Sequence, residues 1–138
     1  MTAKEFLSQA WRLDQEITTK IETLDSLNAL ATKATATITG MPRNPSPSRS
    51  PMEDVICKII DLQDEINADI DRLVDLKKLI SDAIREVDDK ELRLILEKRY
   101  INNQTWPEIS VDLGYKMRYM FKLHDIALGK IKIPASVQ

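Results

Sequence analysis

Between Ala3 and Ile38 apolar side chains return every seven residues in two columns. Ala10, Ile17, Leu24, Ala31 and Ile38 form one, and Phe6, Leu13, Leu27 and Ala34 form the other, which Lys20 interrupts. Alternating steps of three and four keep such positions on one side of an α-helix, so the pattern predicts a single helix of about 36 residues, about 54 Å long at 1.5 Å per residue. That exceeds an ordinary globular helix and has the length of a coiled coil or long hairpin. Thr32, Thr35, Thr37 and Thr39 are weak helix formers and predict fraying beyond Leu30.

Residues 40–52 break the pattern with Gly40, Pro42, Pro45, Pro47 and Pro51 among serines, arginines and asparagine, a composition that neither buries a core nor continues a helix. They are read as a linker. A second heptad follows over residues 53–87, with Ile59, Ile66, Leu73, Ile80 and Val87 in one column and Ile56, Ile70 and Ile84 in the other, interrupted by Gln63 and Lys77. Two heptad helices of similar length joined by a linker predict an antiparallel pair within one chain, or half of a dimeric bundle.

The period then shortens. Asp88 with Glu91 makes a cap for a helix from about Asp89 to Ile101, whose Leu92, Ile95, Leu96, Arg99 and Tyr100 supply a packing face, and Asn102 to Gln104 form a connection. Thr105-Trp106-Pro107-Glu108 is a capping box with proline in the first turn, where its missing N–H has no partner to lose. Ile109 and Leu113 share a face, Ser110 permits close approach of a neighbour, and Gly114 is a C-terminal stop able to take positive φ. After Tyr115 a second helical pattern points Met120, Leu123, Ala127 and Ile131 inward and Lys116, Arg118, Phe121 and Lys122 outward.

Two short amphipathic helices around one glycine corner resemble the helix-turn-helix, and in particular region four of bacterial sigma factors. Ser110 matches the family's small residue, Gly114 its turn glycine, Ile109, Leu113 and Tyr115 its flanking apolar positions, and Met120 and Leu123 the apolar positions of its recognition helix. Lys116 departs from the pattern, because the family more often has serine or threonine there as N-cap. The runs Leu94 to Tyr100, Thr105 to Ile109, Leu123-His124 and Ala127-Leu128 are similar to the ArpU-like late-gene activators of phages and their prophage relatives. The resemblance implies an all-α protein with a long two-helix coiled-coil hairpin and a small C-terminal helix-turn-helix domain over 88–133, followed by a tail over 134–138. It implies a phage-encoded, sequence-specific regulator of transcription, an activator of late genes, whose partners are double-stranded DNA and host RNA polymerase. Lys116, Met117, Arg118, Tyr119, Phe121 and Lys122, with Thr105 and Trp106 at the start of the preceding helix, are the expected DNA-contacting residues.

Charge sharpens this picture. The net charge of −2 is the sum of −1 over residues 1–40, +2 over 41–52, −6 over 53–90 and +3 over 91–138. Base therefore gathers near the expected recognition helix and acid on the middle segment, and it is the local field that governs approach to phosphate. The carboxylates Asp61, Asp64, Glu65, Asp69, Asp71 and Asp75 are read as a solvated face rather than a metal site. No nucleophile–base pair, metal-ligand spacing or phosphate-cradling glycine loop is present in the sequence, so neither an enzyme nor a bound cofactor or metal is expected. His124 and the single cysteine, Cys57, are read as structural. Trp106 is expected to pack over its helix start. Phe121, facing outward, calls for a thymine methyl, a partner protein or another part of the chain. The absence of an apolar run near 18 residues predicts no membrane span, and the polar N-terminus with Glu5 predicts no secretory signal, hence the host cytoplasm. Two other uses of the same features stay open: a coiled-coil structural or adaptor protein, which includes self-association through the heptad helices, and a phage packaging-type DNA binder.

Overall fold

The computed structural model describes the backbone of residues 1–38 and 51–137, so most of the expected linker lies outside the described residues. Within them the chain is all-helical, with α1 Ala3–Ile38, α2 Pro51–Arg85, α3 Lys90–Leu96 continued by a π-helical turn Glu97–Ile101, α4 Trp106–Leu113 and α5 Met117–Gly129, and a closing 3-10 turn Ala135–Val137. No helix among the described residues is long and apolar enough to cross a membrane.

A complete capping box starts α1. The Thr2 amide donates to Glu5 Oε2 at 3.1 Å and the Glu5 amide donates to Thr2 Oγ1 at 3.2 Å. Phe6, Ala10, Leu13 and Ile17 are buried and Lys20, Leu24, Leu27 and Ala31 half-buried, so as far as Ala31 the heptad columns read from the sequence are the inward stripe of the helix, and the side chains of Ala34 and Ile38 lie outside the described residues. Of the threonines at its end, Thr32 bonds back within the helix, its Oγ1 donating to the Asn28 carbonyl at 3.0 Å, and the side chains of Thr35, Thr37 and Thr39 lie outside the described residues.

The α2 helix begins two residues before the expected boundary, because Pro51 occupies its first position, where a preset φ helps and no amide is needed. It ends at Arg85, two residues short of Val87. One of its expected columns holds, with Ile66, Ile80 and Val87 buried and Ile59 and Leu73 half-buried. The other holds only at its C-terminal end, where Ile84 is fully buried and Lys77 half-buried. Ile56, Gln63 and Ile70 are exposed, and along the rest of the helix the positions that accompany the first column are Val55, Leu62, Asp69, Leu76 and Ala83. The column turned inward there is thus the one that carries an aspartate rather than the one that carries Gln63.

The chain divides into two compact units, one of Met1–Asp14 with the segment from Arg72 onward, the other of Gln15–Asp71. The core of the first joins Phe6, Leu7 and Ala10 of α1 to Ile80, Ala83 and Ile84 of α2, then to Val87, to Leu92, Leu96 and Tyr100, and to Ala127 of α5. Residues 88–133 therefore share their core with the first turns of α1 and the last turns of α2. Three short helices bury too little apolar surface to hold themselves, and Phe6, Leu7, Ile80 and Ile84, all fully buried, add about 2 kcal/mol each.

In the second unit the two polar intruders meet. Lys20 Nζ donates to Asp69 Oδ2 at 2.6 Å and lies 3.7 Å from Glu65 Oε2. The Asp69 side chain is 8% exposed, so it is not part of the solvated acidic face expected of it but the counterion of a lysine in the seam. The bond to Asp69 raises the Lys20 pKa, against the opposing effect of burial.

Candidate nucleic-acid interface

The helix that positions the site is α3. Its N-cap is Asp89, one residue later than expected, and its carboxylate accepts from the amides of Glu91 at 2.9 Å and Leu92 at 3.3 Å. The π-helical turn after it closes with the Asn102 amide on the Glu97 carbonyl at 3.0 Å. Asn103 then takes a left-handed φ of 55°, which asparagine tolerates better than most residues, and the chain reverses into α4.

Thr105 caps α4 as the sequence predicts, in extended conformation, with Oγ1 accepting from the Glu108 amide at 3.3 Å. Gly114 ends it in the left-handed region at φ 70° and ψ 25°, its amide bonded to the Ser110 carbonyl. Ser110 has a second task, because its hydroxyl donates to the Tyr115 carbonyl while the Tyr115 amide donates to the Ser110 carbonyl at 3.2 Å. Serine and glycine together fix the angle at which the chain leaves α4. Lys116 is the N-cap residue of α5 and makes no side-chain cap bond, as its lack of an acceptor requires.

Ile109, Met120 and Ala127 are fully buried, and Leu113, Leu123 and Ile131 half-buried, which matches the inward faces read from the sequence. Behind α5 stands a cluster of rings. The Tyr100 hydroxyl and His124 Nε2 are 2.7 Å apart, and the two rings stack at 5.7 Å. Trp106 meets His124 edge-on at 4.6 Å and Phe121 edge-on at 5.3 Å, with the Arg99 guanidinium 4.8 Å from its ring centre. Burial is the main cause that pushes the His124 pKa down to about 4; Asp125 opposes it, while Lys4 and Arg99 add to it. Burial likewise pushes Tyr100 up to about 12. His124 is thus a neutral core residue that ties α5 to the turn after α3.

The expected contact residues fall into two groups. Lys116, Arg118 and Lys122 are exposed, and Tyr119 is 47% exposed with its ring edge-on to Tyr115 at 5.2 Å. Met117 is half-buried, and Trp106 and Phe121 pack on each other, so Phe121, 40% exposed, finds one of its neighbours inside the chain. Asp125 is exposed one turn beyond Phe121 and breaks the basic character of the helix there. The positive charge therefore belongs to the N-terminal half of α5. On α4, Asp112 is neutralised by Lys98 at 3.3 Å and also accepts from Gln104 Nε2 at 3.3 Å.

The capping box at Thr2 is written in the sequence as Thr-x-x-Glu, whereas no sequence signal marks Arg12, which lines a cleft with Ser8, Trp11, Arg99, Tyr100 and Asn103. Nothing in the sequence marked Arg12 and Arg99 as neighbours, because they come from distant parts of the chain. Compared with known protein families, with curated proteins and with solved structures, the chain matches none.

Proposed function

We propose that the protein is a sequence-specific DNA-binding regulator of transcription that reads its operator with α5. The observation that carries this reading is the α4–Gly114–α5 corner. A capped first helix, a left-handed glycine and a second helix with a buried face of Met120, His124 and Ala127 leave Lys116, Arg118 and Lys122 in solvent at the start of that second helix. Such an N-terminal half enters the major groove first, where its cations meet phosphate and its other side chains reach base edges. Gathering of acid on α2 and base on α5 supports the same assignment of faces. We further read α1 and α2 as an antiparallel hairpin, supported by the Lys20–Asp69 pair and by the shared burial of Phe6 with Ile80 and Ile84. In the regulator that the likeness to phage late-gene activators suggests, this hairpin and its acidic flank are the surface offered to RNA polymerase.

The test is to bind the purified chain to fragments of the genome that encodes it at low and high salt, and to sequence what is retained. The expected result is one short motif near a promoter, with affinity falling as salt rises, and with the salt slope reduced by about 1 for each of Arg118→Ala and Lys122→Ala. Retention without a motif would favour a packaging-type DNA binder. No retention by a folded, helical sample would refute DNA binding and leave the hairpin as the working part of an adaptor.

A further inference from the structure

Four large aliphatic side chains of α2 stand in solvent at helical spacing: Ile56 is 44% exposed, Ile60 52%, Ile70 40% and Val74 63%. Between them on the same face lie the exposed amides Gln63 and Asn67, and beyond them lie Glu53 and Lys77. Steps of three and four run unbroken from Glu53 through Ile56, Ile60, Gln63, Asn67, Ile70 and Val74 to Lys77, which is the spacing of a coiled-coil seam. This stripe lies roughly a third of a turn around the helix from the one that carries Ile59, Ile66 and Leu73. Single exposed aliphatics are ordinary on a surface, whereas four in one seam are not.

At equal distances on either side of Glu65 the stripe has residues of one kind or, at its two ends, of opposite charge. Gln63 is matched by Asn67, Ile60 by Ile70, Ile56 by Val74, and the acid Glu53 by the base Lys77. A two-fold axis between antiparallel helices pairs each position with its mate about the midpoint, so every contact in such a pairing is like with like for apolar and amide groups and opposite for charge. Parallel pairing would set Glu53 on Glu53 and Lys77 on Lys77. The central amides add register: a slip of one heptad would place Gln63 or Asn67 against an aliphatic side chain.

We infer that the outer stripe of α2 is an interface with a second copy of this chain, in which two α2 helices lie antiparallel about Glu65 over about 36 Å. The partner is the chain itself, because the face is complementary to its own image in shape of residue and in charge. This inference stands apart from the reading of α5: its experiment contains no DNA, so failure of either leaves the other intact.

Sedimentation velocity and equilibrium of the full chain at micromolar concentration test it first. A dimer is expected, weakened about a hundredfold by Ile60→Glu with helicity by circular dichroism unchanged, since Ile60 is a surface residue in the monomer. Glu53→Lys and Lys77→Glu should each weaken the dimer, and the double exchange should restore it. Orientation is read by disulfide cross-linking on a Cys57→Ser background. A mixture of Gln63→Cys and Asn67→Cys chains should form the mixed disulfide in preference to either homodimer. A monomer at all concentrations, a dimer indifferent to Ile60→Glu, or preferential Gln63→Cys homodimers would each overturn the inference.

Discussion

His124 offers a direct check on the packing behind α5. The residue is 6% exposed, with the Tyr100 hydroxyl 2.7 Å from Nε2 and the Trp106 ring 4.6 Å away, and burial holds its pKa at about 4 against an ordinary 6.5. A histidine whose pKa is lowered by folding binds its proton more readily in the unfolded chain. Its contribution to stability is therefore complete above pH 6.5, is lost as the pH falls from 6.5 toward 4, and loses no more below that. The full difference corresponds to about 3 kcal/mol, of which about 2 kcal/mol falls between pH 7 and pH 5, above the range where most carboxylates begin to protonate. Two features make the assay clean. The chain has one histidine, so its imidazole proton resonance is identified without assignment, and its two tryptophans, Trp11 and Trp106, both lie in the unit that contains α5. Urea unfolding followed by tryptophan fluorescence at the two pH values should show that loss in the wild type and little of it in His124→Gln, whose amide stays neutral and can still bond the Tyr100 hydroxyl. The imidazole resonance should titrate with a midpoint near 4. A midpoint near 6.5, or equal pH sensitivity in wild type and variant, would show that the ring is not held neutral by burial.

Gly114→Ala should cost about 1 kcal/mol, a purely conformational loss, because a Cβ added there meets no atom within 4 Å while φ remains at 70°. Thr105→Ala removes the bond to the Glu108 amide and should cost about 1 kcal/mol in thermal or urea unfolding, with Thr105→Asp restoring most of it. Lys20→Met leaves the Asp69 carboxylate, 8% exposed, without that cation and should lower the urea midpoint. The double variant Lys20→Met with Asp69→Leu should recover it or exceed the wild type.

The parts of this fold that were legible in the sequence are those where a single local rule decides. Thr105, Gly114 and the α1 columns each follow from caps, positive φ or a heptad, and each lies where those rules put it. The phase of α2 was only half-legible, because Ile56 and Ile70 on one side of the Ile59–Ile66–Leu73 column compete with Val55, Leu62 and Leu76 on the other. Periodicity ranks faces by hydrophobicity, and here the inward face carries Asp69. The ring cluster was half-legible. Trp106 over the helix start and His124 as a packed residue follow from their neighbours, while the contact of His124 with Tyr100 depends on a π-helical turn that no pattern of apolar positions predicts. For the candidate contact face, Arg118 and Lys122 were readable as outward cations, but the partial covering of Phe121 by Trp106 required the corner to be built.

The aspartate in the inward column of α2 has a purpose that a wholly apolar column would not serve. In an antiparallel pairing that sets Lys20 against Asp69, Leu13 faces Leu76 and Leu27 faces Leu62. Sliding one helix by a heptad would leave the other column apolar on both helices, since Ala10, Ile17 and Leu24 would still meet leucine, isoleucine or valine. It would, however, place Lys20 against Leu62 or Leu76 and Asp69 against Leu13 or Leu27, which strands a carboxylate in an apolar seam at a cost of several kcal/mol. Leucine-rich seams specify burial but not register, and one polar pair supplies what they lack. The Lys20→Met variant is therefore expected to loosen the unit that holds the pair, read as a lower urea midpoint of the helical signal in circular dichroism.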